Sequence, residues 1–172
     1  MNQVMENILT RRSIRAFKDE KLPKEDLEEI VKAGLYAPSA MNRQSWKFTV
    51  VTNGELIQRL AEAIREELGR EGYDLYKPAA LVIPSNSVKN RWGRDDDACA
   101  LENVFLAAHS MGIGSVWINQ LHGICDQPKI RALLDEMEIP EDHVVYGMAA
   151  LGYAVEEDKK DVVKTGQVHY ID

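Results

Sequence analysis

Three guanidiniums and a hydroxyl fall within five residues at Arg11-Arg12-Ser13-Ile14-Arg15. Arginine forks grip planar oxyanions through paired hydrogen bonds and keep their charge when buried, so this segment suits a phosphate or another planar anion. The same residues also fit a solvated basic helix end favoured by the helix dipole. A second polar cluster, Ala37-Pro38-Ser39-Ala40-Met41-Asn42-Arg43-Gln44-Ser45-Trp46, gathers hydroxyls, two amides and an indole between a helix and a strand. Amides that both donate and accept can read a heterocycle edge on which carbonyls alternate with N–H groups. An ordinary turn anchored by Trp46 has the same composition.

Other chemistries find no support. Gly112-Ile113-Gly114 follows a helical pattern and opens a strand, the reverse of a dinucleotide fingerprint, and lacks its third glycine. A helix-ending glycine at 112 and a close backbone approach at 114 explain it better. No G-x-S-x-G elbow, phosphate-binding P-loop or H-E-x-x-H helix occurs. His122 and Cys125 are the only close pair of zinc-ligand types, and no second pair completes a site. Cys99 and Cys125, without C-x-x-C spacing, read as reduced packing residues.

The elements that must position these residues follow from hydrophobic periodicity. Residues 2–10 form a short helix with Val4, Met5, Ile8 and Leu9 on one face. Pro23 opens a helix over 24–36 with Leu27, Ile30, Val31, Gly34 and Leu35 in its stripe, and Pro38 closes it. A strand over 48–52 turns at Asn53-Gly54 into a helix that buries Ile57, Leu60, Ala61, Ile64 and Leu68, followed by a loop over 69–78. A buried strand over 79–83 ends at Pro84, and the longest helix spans 95–111, its leading Asp95, Asp96 and Asp97 suited to a helix dipole. A strand over 113–118, a helix over 128–137 and a strand over 144–151 complete the core, and a charged arm follows, ending in β-rich Val168 to Ile171. Residues 1–172 read as one α+β domain with a four- or five-stranded, mainly antiparallel sheet wrapped by helices.

Composition agrees: 172 residues, 45% hydrophobic and 28% charged, describe a globular chain and exclude disorder, collagen and coiled coil. With 21 basic against 28 acidic side chains, a net charge of -7, there is no general surface for nucleic acid or anionic lipid. Any anion must be held by a few placed cations. No apolar stretch approaches the ~20 residues of a membrane helix, and the polar N-terminus lacks a secretory core, so a cytoplasmic protein is expected.

Taken in order, four segments resemble the FMN-dependent nitroreductase family in its short-chain form. They are Arg11 to Phe17, Ala37-Pro38-Ser39 through Asn42-x-Gln44-x-Trp46, Ala107 to Gly114 with Trp117-Ile118, and Leu151-Gly152-Tyr153-Ala154. The resemblance implies a homodimer with FMN at the interface, each flavin touched by both chains, and a C-terminal arm over 154–172 that is exchanged between partners. It implies hydride transfer from NAD(P)H through flavin N5 to a nitroaromatic, quinone or related small acceptor, by a ping-pong scheme without a dedicated acid, base or nucleophile. Arg11 and Arg12 are implied on the phosphate side, and Ser13 and Arg15 on the pyrimidine and ribityl side. Ser39 and Asn42, with the backbone around Ala40, are implied as the partner chain's contribution, and Pro38 and Gln44 as further cofactor-binding residues. The backbone of Trp117, Ile118 and Asn119 is implied along the ring, and Lys160 or Lys164 as the tail cation on the phosphate.

The chain also departs from the family pattern. Ala40 stands where a second serine is common, and Asn119 where many members carry an acid. Without the long helical insertion of larger members, Tyr73, Tyr76 and Trp92 are candidate substrate-pocket walls, with core or lid packing as the competing reading. A flavin-binding protein that stores FMN or senses redox state without turnover is the alternative function.

Overall fold

The computed structural model describes residues 1–156 and 162–172. Its frame is an antiparallel sheet of five strands: β1 (Lys47–Val51), β2 (Ala80–Ser87), β3 (Gly114–Ile118), β4 (His143–Val144) and β5 (Met148–Gly152). The order is β1-β2-β5-β3, with β4 pairing the far end of β2. Five helices surround it among the described residues: α1 (Gln3–Thr10), α2 (Lys24–Leu35), α3 (Gly54–Leu68), α4 (Gly93–Ser110) and α5 (Pro128–Glu136). None is long and apolar enough to cross a membrane.

Strand alternation divides the interior into two cores. Leu81 and Ile83 of β2, Val116 and Ile118 of β3 and Ala150 of β5 face α3 and α5. Ala80 and Val82 of β2 and Ala149 and Leu151 of β5 face α2 and α4. The central strands are therefore buried on both faces, which is why they read as continuous apolar runs. Helix ends are capped as their sequences require: the Asn53 side chain accepts the Leu56 N–H at the start of α3, and Gly69 ends α3 in the left-handed region.

The structure departs from the expected elements in three places. β2 runs through Pro84 to Ser87, because Pro84 falls between the stretches paired to β5 and to β4, where one side has no ladder partner to lose. The last core strand is two, β4 and β5, separated by Val145 to Gly147. The apolar face of α1 (Val4, Met5, Ile8 and Leu9) is exposed, and Leu68 is exposed at the end of α3. Helix α1 is held to α4 by polar contacts: Asn7 Nδ2 donates to the Leu106 carbonyl at 2.9 Å, and Thr10 Oγ1 pairs with His109 Nε2 at 2.9 Å.

Two glycines connect this frame to the cationic segment. Gly112 ends α4 with φ +73°, and Ile113 N–H closes back onto the Ala108 carbonyl at 2.9 Å. Gly114 lies under the N-terminal segment, where a Cβ would come within 3.0 Å of both Ile14 and the Gly152 carbonyl oxygen. Gly112→Ala, with open space around the new methyl, should therefore lower the unfolding free energy by about 1 to 2 kcal/mol through backbone strain alone. Gly114→Ala should cost more, since a backbone carbonyl blocks it. Urea denaturation of both variants checks the order, and equal losses would contradict it.

Candidate functional site

The segment after α1 lies along the outer edge of β3. Ser13 pairs in parallel with Ser115, Ile14 N–H donates to the Ser115 carbonyl at 2.9 Å, and Phe17 pairs with Ala154 beyond the end of β5. Extended backbone puts alternate side chains on opposite sides, so Ser13 and Arg15 fall on one side and Ile14 packs on Gly114. Ser13, Arg15, Val155 and Glu156 line a concavity of about 440 Å³.

The guanidiniums differ in their commitments. Arg12 donates through one terminal nitrogen to the carbonyls of Leu9 and Arg11, at 2.8 and 2.9 Å, closing the end of α1, and its Nε is buried without a partner among the described residues. Arg11 is half-buried and Arg15 exposed. Among the described residues none of the three forms an ion pair with a carboxylate. His109, beside them, has its pKa lowered by burial and by the charges of Arg11 and Arg12. Guanidiniums without carboxylate partners among the described residues leave this corner able to accept negative charge.

The second predicted cluster forms an exposed loop. Pro38 precedes a tight 3₁₀ turn over Ala40–Asn42, Gln44 N–H donates to Ser39 Oγ at 3.1 Å, and Gln44 Nε2 donates to Asn42 Oδ1 at 2.9 Å. Met41, Asn42 and Gln44 all adopt left-handed backbone, with φ 54°, 53° and 50°. Trp46 is buried as an anchor against Phe48, with ring centroids 5.8 Å apart.

On β3, Trp117 and Asn119 are exposed while the Ile118 side chain points into the α3/α5 core, leaving only its backbone to line a surface. Trp117 packs against Phe105 at 5.8 Å, and the Asn119 N–H is taken by Gln120 Oε1 at 3.0 Å. Lys164 is exposed, and Lys160 lies outside the described residues.

The structure does not bring Tyr73, Tyr76 and Trp92 to one pocket. Tyr73 and Tyr76 meet edge to face, 6.3 Å apart, against the α3/α5 core; burial raises the Tyr73 pKa. Trp92 stands before α4 with the Arg91 guanidinium 4.3 Å from its ring. The cavity that does adjoin Trp117 and Asn119, about 240 Å³, is lined instead by Arg94, Asp97, His122 and Tyr146.

Sequence reasoning missed the buried polar cluster at the start of α4. Asp96 and Asp97, read as dipole-facing charges, are buried. Asp96 Oδ1 accepts the Ala40 N–H at 2.8 Å and Oδ2 accepts Asn90 Nδ2 at 3.3 Å. Asn86 Nδ2 donates to Asp97 Oδ1 at 3.0 Å, while Asp97 Oδ2 has no partner among the described residues. Burial, opposed by the Asn86 hydrogen bond and reinforced by the Asp96 charge, pushes the Asp97 pKa from 3.8 to about 7. The available signal was Ser85, Asn86, Ser87 and Asn90 following the apolar run 79–83 and just before three aspartates, a density of short polar side chains that a solvated surface does not need.

The nitroreductase family model matches residues 8–80 and 75–153. Among solved structures, a nitroreductase with bound FMN from Bacteroides fragilis shares 43% identity, covers 100% of both chains and superposes with a TM-score of 0.91. A protein of Archaeoglobus fulgidus, provisionally named an NADH dehydrogenase/NAD(P)H nitroreductase, is 35% identical across 94% of this chain and 90% of its own. An NADPH-flavin oxidoreductase of Vibrio harveyi is 29% identical across 89% of this chain and 66% of its own.

Asp97 generates a prediction about pH. Its folded pKa exceeds its unfolded one, so between about 4 and about 7 the folded chain holds a proton that the unfolded chain has released. The stability from this group is complete below that window and lost as pH rises through it, on the order of a few kcal/mol. Asp97→Asn should remove the loss, and the difference between wild type and variant isolates it from His109, whose lowered pKa acts with the opposite sign. Parallel urea titrations from pH 5 to 8 read the difference; indistinguishable slopes would contradict the assignment.

Proposed function

This chain belongs to the nitroreductase family, and we propose from that premise that it is a homodimeric, FMN-dependent oxidoreductase. In this reading it passes a hydride from NAD(P)H to a nitroaromatic, quinone or related small acceptor. The observation that carries it is the seating of Ser13 and Arg15 along the β3 edge, beside the 440 Å³ concavity and next to guanidiniums without carboxylate partners among the described residues. An orphaned buried Arg12 Nε and a cationic corner around neutral His109 suit a phosphate-bearing cofactor, so the residues present fit FMN. Relatives named as FMN-bound nitroreductase and NADPH-flavin oxidoreductase support the same cofactor and donor.

The chain's own groups then divide the work. Arg11 and Arg12 hold the phosphate, with Lys160 or Lys164 adding a tail cation. Ser13 and Arg15 address the pyrimidine and ribityl side, where the Arg15 charge favours the negative charge of a reduced ring. The backbone from Trp117 to Asn119 sets the plane of the ring, and the Asn119 N–H can be exchanged from Gln120 Oε1 to a flavin atom. Ser39, Ala40, Asn42 and Gln44, with Pro38 before them, come from the other protomer. When bound, FMN would supply the redox chemistry between donor and acceptor, and no acid or base of the chain is required.

Residues 1–172 act as one domain whose 154–172 arm crosses to the partner. Val168, Tyr170 and Ile171 are exposed, as is the apolar face of α1. A groove of about 640 Å³ between α2 and β1, lined by Leu27, Val31, Leu35 and Val50, runs along the sheet edge opposite β3. Exposed apolar surface of this extent supports burial in a dimer.

A visible absorption spectrum, followed by anaerobic addition of NADPH and then NADH, tests the reading. Flavin bands that bleach with either donor are expected; bands that persist with both would favour a non-turnover flavin protein, and failure to bind added FMN would overturn the proposal. Arg15→Ala should weaken FMN binding about tenfold or more, since a charge-assisted hydrogen bond is lost, whereas Lys129→Ala, on exposed α5, should leave it unchanged. Fluorescence titration of the apoproteins measures both.

A further inference from the structure

We propose that Asp96 is a positioning residue that holds the Ser39–Asn42 loop in shape for the flavin bound by the other protomer. The inference rests on the dimeric, FMN-binding reading above, but the clamp itself is visible within one chain.

The loop is strained and exposed at its tip. Met41, Asn42 and Gln44 occupy left-handed backbone, which is unfavourable for residues with a Cβ, least so for asparagine. Met41 and Asn42 are open to solvent. Strain of this kind persists only where the surroundings over-determine the backbone.

The surroundings are two anchors, one on the first turn of α4 and one on β2 and the turn that leads into α4. At one end the Ala40 N–H donates to Asp96 Oδ1 at 2.8 Å. At the other, Ser45 Oγ donates to Asn86 Oδ1 at 2.9 Å and accepts from Asn90 Nδ2 at 3.0 Å. Asp96 Oδ2 joins the anchors by accepting from Asn90 Nδ2. Asp96 is only 4% exposed, so its carboxylate is a desolvated acceptor and its hydrogen bond to a backbone N–H is of the strong, charge-assisted kind. Asp96, together with Asn86 and Asn90, thus fixes both ends of the strained loop before any ligand arrives. Binding to such a preformed loop avoids the entropy of ordering it.

Loss of the clamp has a signature in the free protein and another across the dimer. Arg43 sits at the exposed tip, so Asp96→Ala apoprotein should be nicked by trypsin after Arg43, releasing a fragment that begins at Gln44, under conditions where wild type resists. The Asp96→Ala homodimer should bind FMN about tenfold or more weakly. Asp96→Asn, which keeps an acceptor for Ala40 but turns an amide donor toward Asn90, should show a smaller rise of the same sign.

The deciding experiment mixes protomers of Asp96→Ala and Arg15→Ala and titrates the mixed dimer with FMN. If Asp96 serves the other protomer's flavin, both defects fall on one site and the remaining site binds with wild-type affinity. If Asp96 serves its own protomer's flavin, the mixed dimer has no wild-type site, and if it serves neither, the Asp96→Ala homodimer binds FMN as wild type does; either result overturns the proposal. Should Asp96→Ala not fold, Asp96→Asn carries the same comparison. Wild-type homodimer failing to bind FMN would instead overturn the functional reading itself, so the two failures are told apart.

Discussion

A sheet buried on both faces leaves only its edges and strand ends for polar chemistry, and that constraint organises this molecule. Leu81 and Ile83 enter one core while Ala80 and Val82 enter the other, so no side chain within the central run of β2 is free for a ligand. The Ser13–Lys18 segment runs from the outer edge of β3 to the end of β5, and the cations arrive there because Ile14 and Lys18 N–H donate to the Ser115 and Tyr153 carbonyls while the Ala16 carbonyl accepts the Val155 N–H. The polar cluster sits at the other available place, where β2 outruns β5 and meets the start of α4.

Electrostatics follow the same division. The chain is acidic, with a net charge of -7, yet it carries guanidiniums at 11, 12 and 15, and burial with the charges of Arg11 and Arg12 lowers the pKa of His109. Two of its acids are turned inward, Asp96 onto the Ala40 N–H and Asn90, and Asp97 onto Asn86. A local basic corner on an acidic protein is selective, because long-range attraction for polyanions is absent while a short-range grip on one small anion remains.

The single chain also exposes much apolar surface: one face of α1, the groove beneath α2 and the β-rich tail. These lie apart in sequence, and a second protomer is the economical way to cover them together. In the proposed dimer the strained loop at Met41 and Asn42, exposed on its own chain, has the other protomer's ligand to meet.

The α2 and α3 stripes, apart from Leu35 and Leu68, the glycine end of α4 and the apolar central strands were legible in the chain, since they depend on periodicity and local backbone preference. The Arg11–Arg15 cluster of cations was legible for the same reason, since it depends on residue type and close spacing. Pro84 misled the reading of β2, because whether a missing N–H matters depends on which strand lies alongside. Asp96 and Asp97 misled it too, because a helix dipole is local whereas their burial comes from Ala40, Asn86 and Asn90 brought in from other elements. Tyr73, Tyr76 and Trp92 were plausible walls by type, yet only packing decided that they stand apart and that Arg94, His122 and Tyr146 border the cavity beside Trp117. Sequence alone determined most of the elements and the clustering of cations at 11–15, since both rest on near neighbours; tertiary structure decided which acids are buried and which side chains share a cavity, since those depend on contacts between residues far apart in the chain.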